Sequence, residues 1–172
     1  MTLKILDATC GCRSMWYQEN HPWVTYMDIR EGDYSCAFIP SKNRTVSIHP
    51  TIKGDFQNTP FDSDHFDMIV FDPPHIIRKG ERKTSFLENR YGALKEDNYR
   101  VVLANGFKEL FRILKPEGTF ILKWAEIDKP LKEILSLCPY PPLFGTQTGQ
   151  KNKNHWVLFI KHSLDGKLEE FA

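Results

Sequence analysis

Asp67-Met68-Ile69-Val70-Phe71-Asp72-Pro73-Pro74-His75 is an apolar run that stops at a carboxylate and two prolines. Four consecutive apolar side chains with no polar alternation predict a strand covered on both faces, as inside a parallel sheet. Pro73 and Pro74 have no N–H to give a ladder, so the strand ends at Phe71 and the chain leaves in a stiff loop. Ligands of open parallel sheets bind beyond the carboxyl ends of the strands. Asp72–His75 therefore stands where chemistry is expected.

Working outward, apolar runs alternate with helical patterns, which predicts an α/β architecture with a mostly parallel sheet. Leu3–Ala8 is the first expected strand, followed by a turn at Thr9–Cys12 and a short helix to about Asn20, stopped by His21-Pro22. Val24–Ile29, Val46–His49 and Asp67–Phe71 are the next strands, with a charged turn at Arg30–Asp33. Leu103, Phe107, Leu110, Phe111 and Leu114 recur at helical spacing within Asp97–Leu114, and Lys115-Pro116-Glu117-Gly118 ends that helix before a strand at Thr119–Trp124. Asp128 is placed to cap a helix whose apolar stripe is Leu131, Ile134, Leu135 and Cys138. Leu143–Thr146 and His155–Lys161 form a late pair of strands around a polar loop at Gln147–Asn154. No repeat or linker interrupts the pattern, so one domain spanning 1–172 is expected.

Four strands end in, or run into, an acid: Asp7, Asp28, Asp55 and Asp72. Clustered carboxylates repel one another, so a site that keeps four uses them for hydroxyl, amine or metal contacts. Taken in order, Asp7-Ala8-Thr9-Cys10-Gly11, Asp28-Ile29, Asp55-Phe56 and Asp72-Pro73-Pro74-His75 resemble the class I S-adenosylmethionine-dependent methyltransferases. Glu109–Phe120 is also similar to that family's segment leading into the fifth strand, and the resemblance covers about residues 3–161. It implies a Rossmann-like methyltransferase fold: a mostly parallel seven-stranded sheet with a late antiparallel hairpin and helices on both faces.

The resemblance also implies S-adenosylmethionine as cofactor. Asp7, Ala8, Thr9, Cys10 and Gly11 would pass under its methionine moiety, with Gly11 allowing close backbone approach. Amides at the next helix start would hold the carboxylate. Asp28 and Ile29 would meet the ribose, Asp55 the adenine amino group, and Phe56 would give a ring contact or a backbone amide. The loop has fewer glycines than the family pattern, and Arg13 stands outside it; pairing with the cofactor carboxylate and a salt bridge to Glu19 or Asp7 are both open.

Asp72-Pro73-Pro74-His75 resembles the (Asp/Asn)-Pro-Pro-aromatic signature of amino-methyltransferases, whose targets include adenine N6, cytosine N4, guanine N2 and a glutamine amide. Such nitrogens are poor nucleophiles because their lone pairs are delocalised. The Asp72 carboxylate and the Pro73 carbonyl would accept the N–H hydrogens and aim the lone pair at the methyl group. Pro74 stiffens the loop, and His75 stands where an aromatic stacks on the base. The favoured reading is methyl transfer to an exocyclic amine, adenine N6 in DNA or RNA first. Methylation of a protein glutamine or small-molecule amine remains open, as does a non-catalytic nucleic-acid-binding protein of the same fold.

Composition bears on the partner. The chain has 172 residues, 23 basic against 22 acidic side chains and net charge +1, but residues 1–77 are net −4 and residues 78–95 net +4. Arg78, Lys79, Arg82, Lys83 and Tyr91, directly after the Pro-Pro loop, suit phosphate contact and base stacking. Lys151, Lys153 and His155 would extend that rim, and a partner chain is a further source of target recognition. No apolar run is long enough for a membrane helix, no signal-peptide core follows Met1, and four cysteines suit a reduced, cytoplasmic protein. Cys10 and Cys12 are too close for the usual zinc knuckle, so no metal is expected.

Overall fold

The computed structural model describes residues 2–35, 45–81, 85–146 and 154–162. Arg82, Lys83, Lys151 and Lys153 lie outside the described residues. The elements in chain order are β1 (Ile5–Asp7), β2 (Val24–Asp28), β3 (Gly32–Ser35), β4 (Thr45–Ile48), β5 (Ile52–Lys53), β6 (Phe66–Phe71) and β7 (Ile77–Arg78). Then follow α1 (Phe86–Tyr91), β8 (Leu94–Lys95), α2 (Tyr99–Ile113), β9 (Leu114–Ala125), α3 (Leu131–Leu135), β10 (Phe144–Gly145) and β11 (Asn154–Ile160). Seven strands form one sheet in the order β10-β11-β9-β6-β1-β2-β5. Pairing is parallel from β9 through β5, while β11 runs antiparallel to both β9 and β10.

Alternation across the pleat sends neighbouring residues to opposite faces. Leu6, Met27, Ile69, Phe71, Phe120, Leu122, Trp124, Val157 and Phe159 join the larger core with Leu103, Phe107, Leu110 and Phe111 of α2. Burying each such large side chain is worth about 1.5–3 kcal/mol. Phe111 stacks on Phe120 with centroids 4.7 Å apart and on Tyr140 at 4.3 Å. Ile5, Val24 and Tyr26 point the other way and pack with Cys10 and Trp16.

Four local expectations are corrected. Residues 10–20 form successive turns with no helix. Gly11 and Arg13 both have left-handed backbone, with φ of 50° and 56°, which interrupts α-helical hydrogen bonding before Pro22 closes the segment. Val46–His49 is not a strand of the main sheet: β4 pairs with β3 in a separate antiparallel ribbon, and β5 takes the sheet edge beside β2. Thr-Val-Ser-Ile alternates polar and apolar residues, a pattern that suits a one-face ribbon rather than a strand covered on both faces. The expected turn at Arg30–Asp33 accordingly leads straight into β3. Lastly, Asp128 does not cap α3. Its Oδ2 accepts the Ile77 N–H at 2.8 Å, while Glu126 Oε1 accepts the Leu131 N–H at 2.7 Å.

The stretch after the Pro-Pro loop is a closed excursion. β7 and β8 pair in parallel, Ile77 with Leu94 and Arg78 with Lys95, so the chain leaves and returns at one place with α1 between. Ser85 and Glu88 form a capping box at the start of α1. Gly92 brings α1 back against the catalytic-loop candidate: a Cβ there would lie 3.1 Å from Pro74 Cγ.

Candidate active site

Asp7 ends β1 fully buried. Its Oδ2 accepts the Trp16 indole N–H at 2.6 Å, and its Oδ1 the Thr9 amide at 3.3 Å. Burial raises its pKa to about 7, against the pull of these two donors, and the Asp72 and Asp28 charges add to the rise. The loop then crosses to β2, where the Cys10 amide donates to the Met27 carbonyl and the Gly11 amide to Asp28 Oδ2, both at 2.9 Å. The Cys10 thiol is pushed up to about 12, first by burial and then by Asp7 and Asp28, so it is no nucleophile at neutral pH.

Asp28 is buried, and both of its oxygens are engaged. Besides Gly11, it accepts the Arg30 amide at 2.9 Å and the Arg30 Nε at 3.2 Å. Arg30 also reaches the carbonyls of Asn89 and Arg90 at 3.5 and 3.4 Å, tying β2 to α1. Ile29 is exposed. Arg13 is held by two backbone carbonyls and one side-chain amide. Its guanidinium bonds the Glu19 carbonyl at 3.1 Å, Asn20 Oδ1 at 2.5 Å and the His49 carbonyl at 2.5 Å, and lies 4.0 Å from the Tyr26 ring centroid. It staples the turn segment that replaces the helix.

Asp55 accepts the Gln57 amide at 2.9 Å in a tight turn. The Phe56 ring packs in the core, with its centroid 5.0 Å from that of Phe71. Only its backbone is left for the amide role.

Asp72 lies one residue past β6. Its backbone N–H donates to Thr9 Oγ1 at 2.9 Å, joining the loop after β1 to the Pro-Pro loop. Lys123 Nζ of β9 bonds Asp72 Oδ2 at 2.5 Å. His75 Nε2 lies 2.8 Å from Oδ1 outside hydrogen-bonding geometry, so Oδ1 is buried with no hydrogen bond. The His75 ring meets the buried Trp124 edge-on at 4.8 Å. Lys123 escaped the sequence reading, although its signal is there: one lysine in the strand Phe120-Ile121-Leu122-Lys123-Trp124, next to the parallel strand that carries Asp72.

These groups surround one open cavity of about 280 Å³. Its walls include Thr9, Cys10, Gly11 and Cys12 from the first loop, Asp72, Pro73 and His75 from the Pro-Pro loop, and Lys123 and Asn154 from β9 and β11. Arg30 and, from α1, Leu87, Arg90 and Tyr91 also line it. Asp28, Asp55 and Phe56 do not line it, since Arg30 stands between Asp28 and the opening. Of the basic-segment candidates, Tyr91 is half exposed on the cavity wall. Arg78 donates to the buried Glu88 at 3.0 Å, and Lys79 pairs with Glu96 at 3.6 Å on the surface.

Charged side chains line the cavity, Arg30, Asp72, Arg90 and Lys123 among them, and Asp72 Oδ1, His75 Nδ1 and Arg90 Nε are buried beneath its surface without hydrogen bonds. A Cβ on Gly11 would meet only Arg30 Nη2, at 4.0 Å, so the turn is open for close approach. Among the described residues no group of three His, Cys, Asp or Glu side chains is arranged to hold a metal ion, and no helix is long and apolar enough to cross a membrane.

No family model matches the sequence, and no curated protein matches it significantly. Solved structures match across most of its length. The PH0226 protein of Pyrococcus horikoshii superposes with a TM-score of 0.59 at 15% identity, covering 93% of this chain and 82% of the other. A SAM-dependent methyltransferase of Methanosarcina mazei gives 0.55 at 16%, covering 94% of each. The 16S rRNA (adenine(1408)-N(1))-methyltransferase of Catenulisporales acidiphilia gives 0.50 at 12%, covering 96% and 88%. At such identities the shared property is the fold. This chain has the Rossmann-like methyltransferase fold.

Proposed function

We propose that this protein is an S-adenosylmethionine-dependent methyltransferase acting on an exocyclic amino group, adenine N6 of DNA or RNA foremost. The observation that carries this is the Thr9–Asp72 bond. It holds an amine-accepting carboxylate against the loop that would carry the cofactor, in one cavity.

The residues fit that cofactor. The amides and open turn of Thr9–Cys12 would take its methionine end, and Asp28 its ribose hydroxyls once Arg30 gives way. Bound there, S-adenosylmethionine supplies an electrophilic methyl group. The chain's own work is to present the nitrogen. Asp72 and the Pro73 carbonyl accept its N–H hydrogens, which directs the lone pair outward and favours the positive charge that develops there. When the methyl group leaves its sulfonium sulfur, which departs as a neutral thioether, the Asp72 carboxylate would take the surplus proton from the nitrogen and pass it to water. The Asp72 carboxylate favours this charge, while Tyr91 offers a ring at the rim.

A nucleic-acid target is supported by the cationic side chains of Arg30, Arg90 and Lys123 around the opening and by the solved rRNA methyltransferase that shares the fold. The test is labelled S-adenosylmethionine with DNA, RNA and protein pools, followed by mass spectrometry of nucleosides and peptides. Label in N6-methyladenosine is expected. Label confined to protein would remove the nucleobase assignment, and no transfer at all would remove the enzyme.

A further inference from the structure

The Asp72 carboxylate is capped on both oxygens. Oδ1 is sealed beneath His75, and Oδ2 carries Lys123 Nζ at 2.5 Å. No incoming N–H reaches it unless one cap yields. His75 is wedged edge-on against the fully buried Trp124. Lys123 is the movable one, since an ammonium on a flexible stem keeps three rotatable donors. Its Nζ also lies 5.9 Å from the ring centroid of the half-exposed Trp156, a second seat for the cation.

We propose that Lys123 selects the substrate. With Asp72 it forms a donor–acceptor pair that admits an amino heterocycle whose reacting amine adjoins an unprotonated ring nitrogen. This deepens the reading above that Asp72 receives the amine. The heterocycle edge inserts into the ion pair: its N–H donates to Asp72 Oδ2, and Lys123 Nζ donates to the ring nitrogen on the same carbon. Both charges stay hydrogen-bonded, so neither is left buried without a partner when the pair opens. Adenine offers N6–H beside N1, and cytosine N4–H beside N3. Guanine sets N1–H beside N2 on its Watson–Crick edge, facing the ammonium with a second donor, and meets the rule only through N3 on its minor-groove edge. An amine without the neighbouring acceptor leaves the ammonium no hydrogen-bond partner on the substrate, and losing one charged hydrogen bond corresponds to about 10- to 100-fold in rate.

The test uses the purified full chain, labelled S-adenosylmethionine and random single-stranded DNA and RNA pools. Matched pools carry 1-deazaadenine in place of adenine, or 3-deazacytosine in place of cytosine. These analogues keep the amine and lose the ring acceptor. Wild type is expected to prefer the natural base by about 10- to 100-fold in kcat/KM. Lys123→Met should abolish that preference, and Lys123→Arg should restore it. The ratio is the readout, because a folding defect lowers both rates together; if Lys123→Met is insoluble, the wild-type ratio alone decides. Equal rates on natural and deaza pools, or a preference that survives Lys123→Met, overturn the Lys123 assignment alone. No label in any nucleic-acid pool overturns the nucleobase reading and the Lys123 assignment with it.

Discussion

Thr9 Oγ1 accepts the backbone N–H of Asp72 across the ends of β1 and β6, at 2.9 Å. Asp72 lies just past the end of β6 and precedes two prolines, so this bond fixes where its carboxylate starts. Thr9→Val keeps the shape and removes the acceptor. Turnover should fall about fivefold, matching the loss of roughly 1 kcal/mol of hydrogen bonding, while the melting temperature moves little. A Thr9→Val enzyme with unchanged kcat would show that Asp72 is held by the prolines alone.

Binding and chemistry should separate between two carboxylates. Asp28→Ala removes the proposed ribose acceptor and should weaken S-adenosylmethionine binding by calorimetry. Asp72→Ala should abolish methyl transfer and leave that affinity within a few-fold. An Asp28→Ala protein that binds the cofactor as tightly as wild type would reassign the ribose contact.

Stability should peak in mildly acidic solution. Asp7 is raised by burial from an ordinary 3.8 to about 7, so the folded protein holds a proton that the unfolded chain has released. Its contribution is complete below pH 3.8 and is lost as pH rises through 7. Glu109 and Glu88 act oppositely, both held at about 2. The Arg112 hydrogen bond does this for Glu109; at Glu88 desolvation opposes it, and hydrogen bonds from Ser85 and Arg78 prevail. Their contribution is complete above 4.5 and fades as pH falls toward 2. The melting temperature should therefore climb as pH drops from about 8 to about 5, then decline below about 4.5. Asp7→Asn should flatten the upper limb and spare the acid limb; an upper limb unaltered in that variant would point to another group.

Gly106 tests the packing behind Phe56. Alanine normally favours a helix interior by about 1 kcal/mol over glycine. Here its Cβ would fall 2.5 Å from Phe56 Cδ2, so α2 or the Phe56 ring must shift. Overpacking of this kind costs about 1–3 kcal/mol, so Gly106→Ala should lower the urea midpoint despite its propensity. The double variant Gly106→Ala/Phe56→Leu should recover part of the loss.

The strands are legible because their signals are local. Met68–Phe71, Phe120–Leu122 and Val157–Ile160 are apolar runs each closed by an Asp or a Lys, and α2 carries an unbroken helical stripe. The turns at residues 10–20 are not legible, because they depend on Arg13 finding carbonyls at Glu19 and His49, the latter 36 residues away. The β3–β4 ribbon is hidden for a related reason. The alternation of Thr45–Ile48 suits a ribbon, but its partner, Gly32–Ser35, is a charged and polar stretch with no apolar run to mark it as a strand.

By itself the sequence determined that a carboxylate and two prolines end a buried parallel strand, and that acids stand at the ends of the first two strands, at Asp7 and Asp28. Those are properties of short stretches of chain. Only the tertiary structure decided that Lys123 caps Asp72 and that Arg30 covers Asp28. The first pairing depends on the register of β9 against β6, which shifts between Phe66 and Met68 as the turn at Lys115–Gly118 is absorbed, and then sets Phe71 opposite Leu122. A slip of one residue would exchange Lys123 with its apolar neighbours across the sheet. Burial of Phe120, Leu122 and Trp124 forbids that slip, so the packing of the core places the cation at the site.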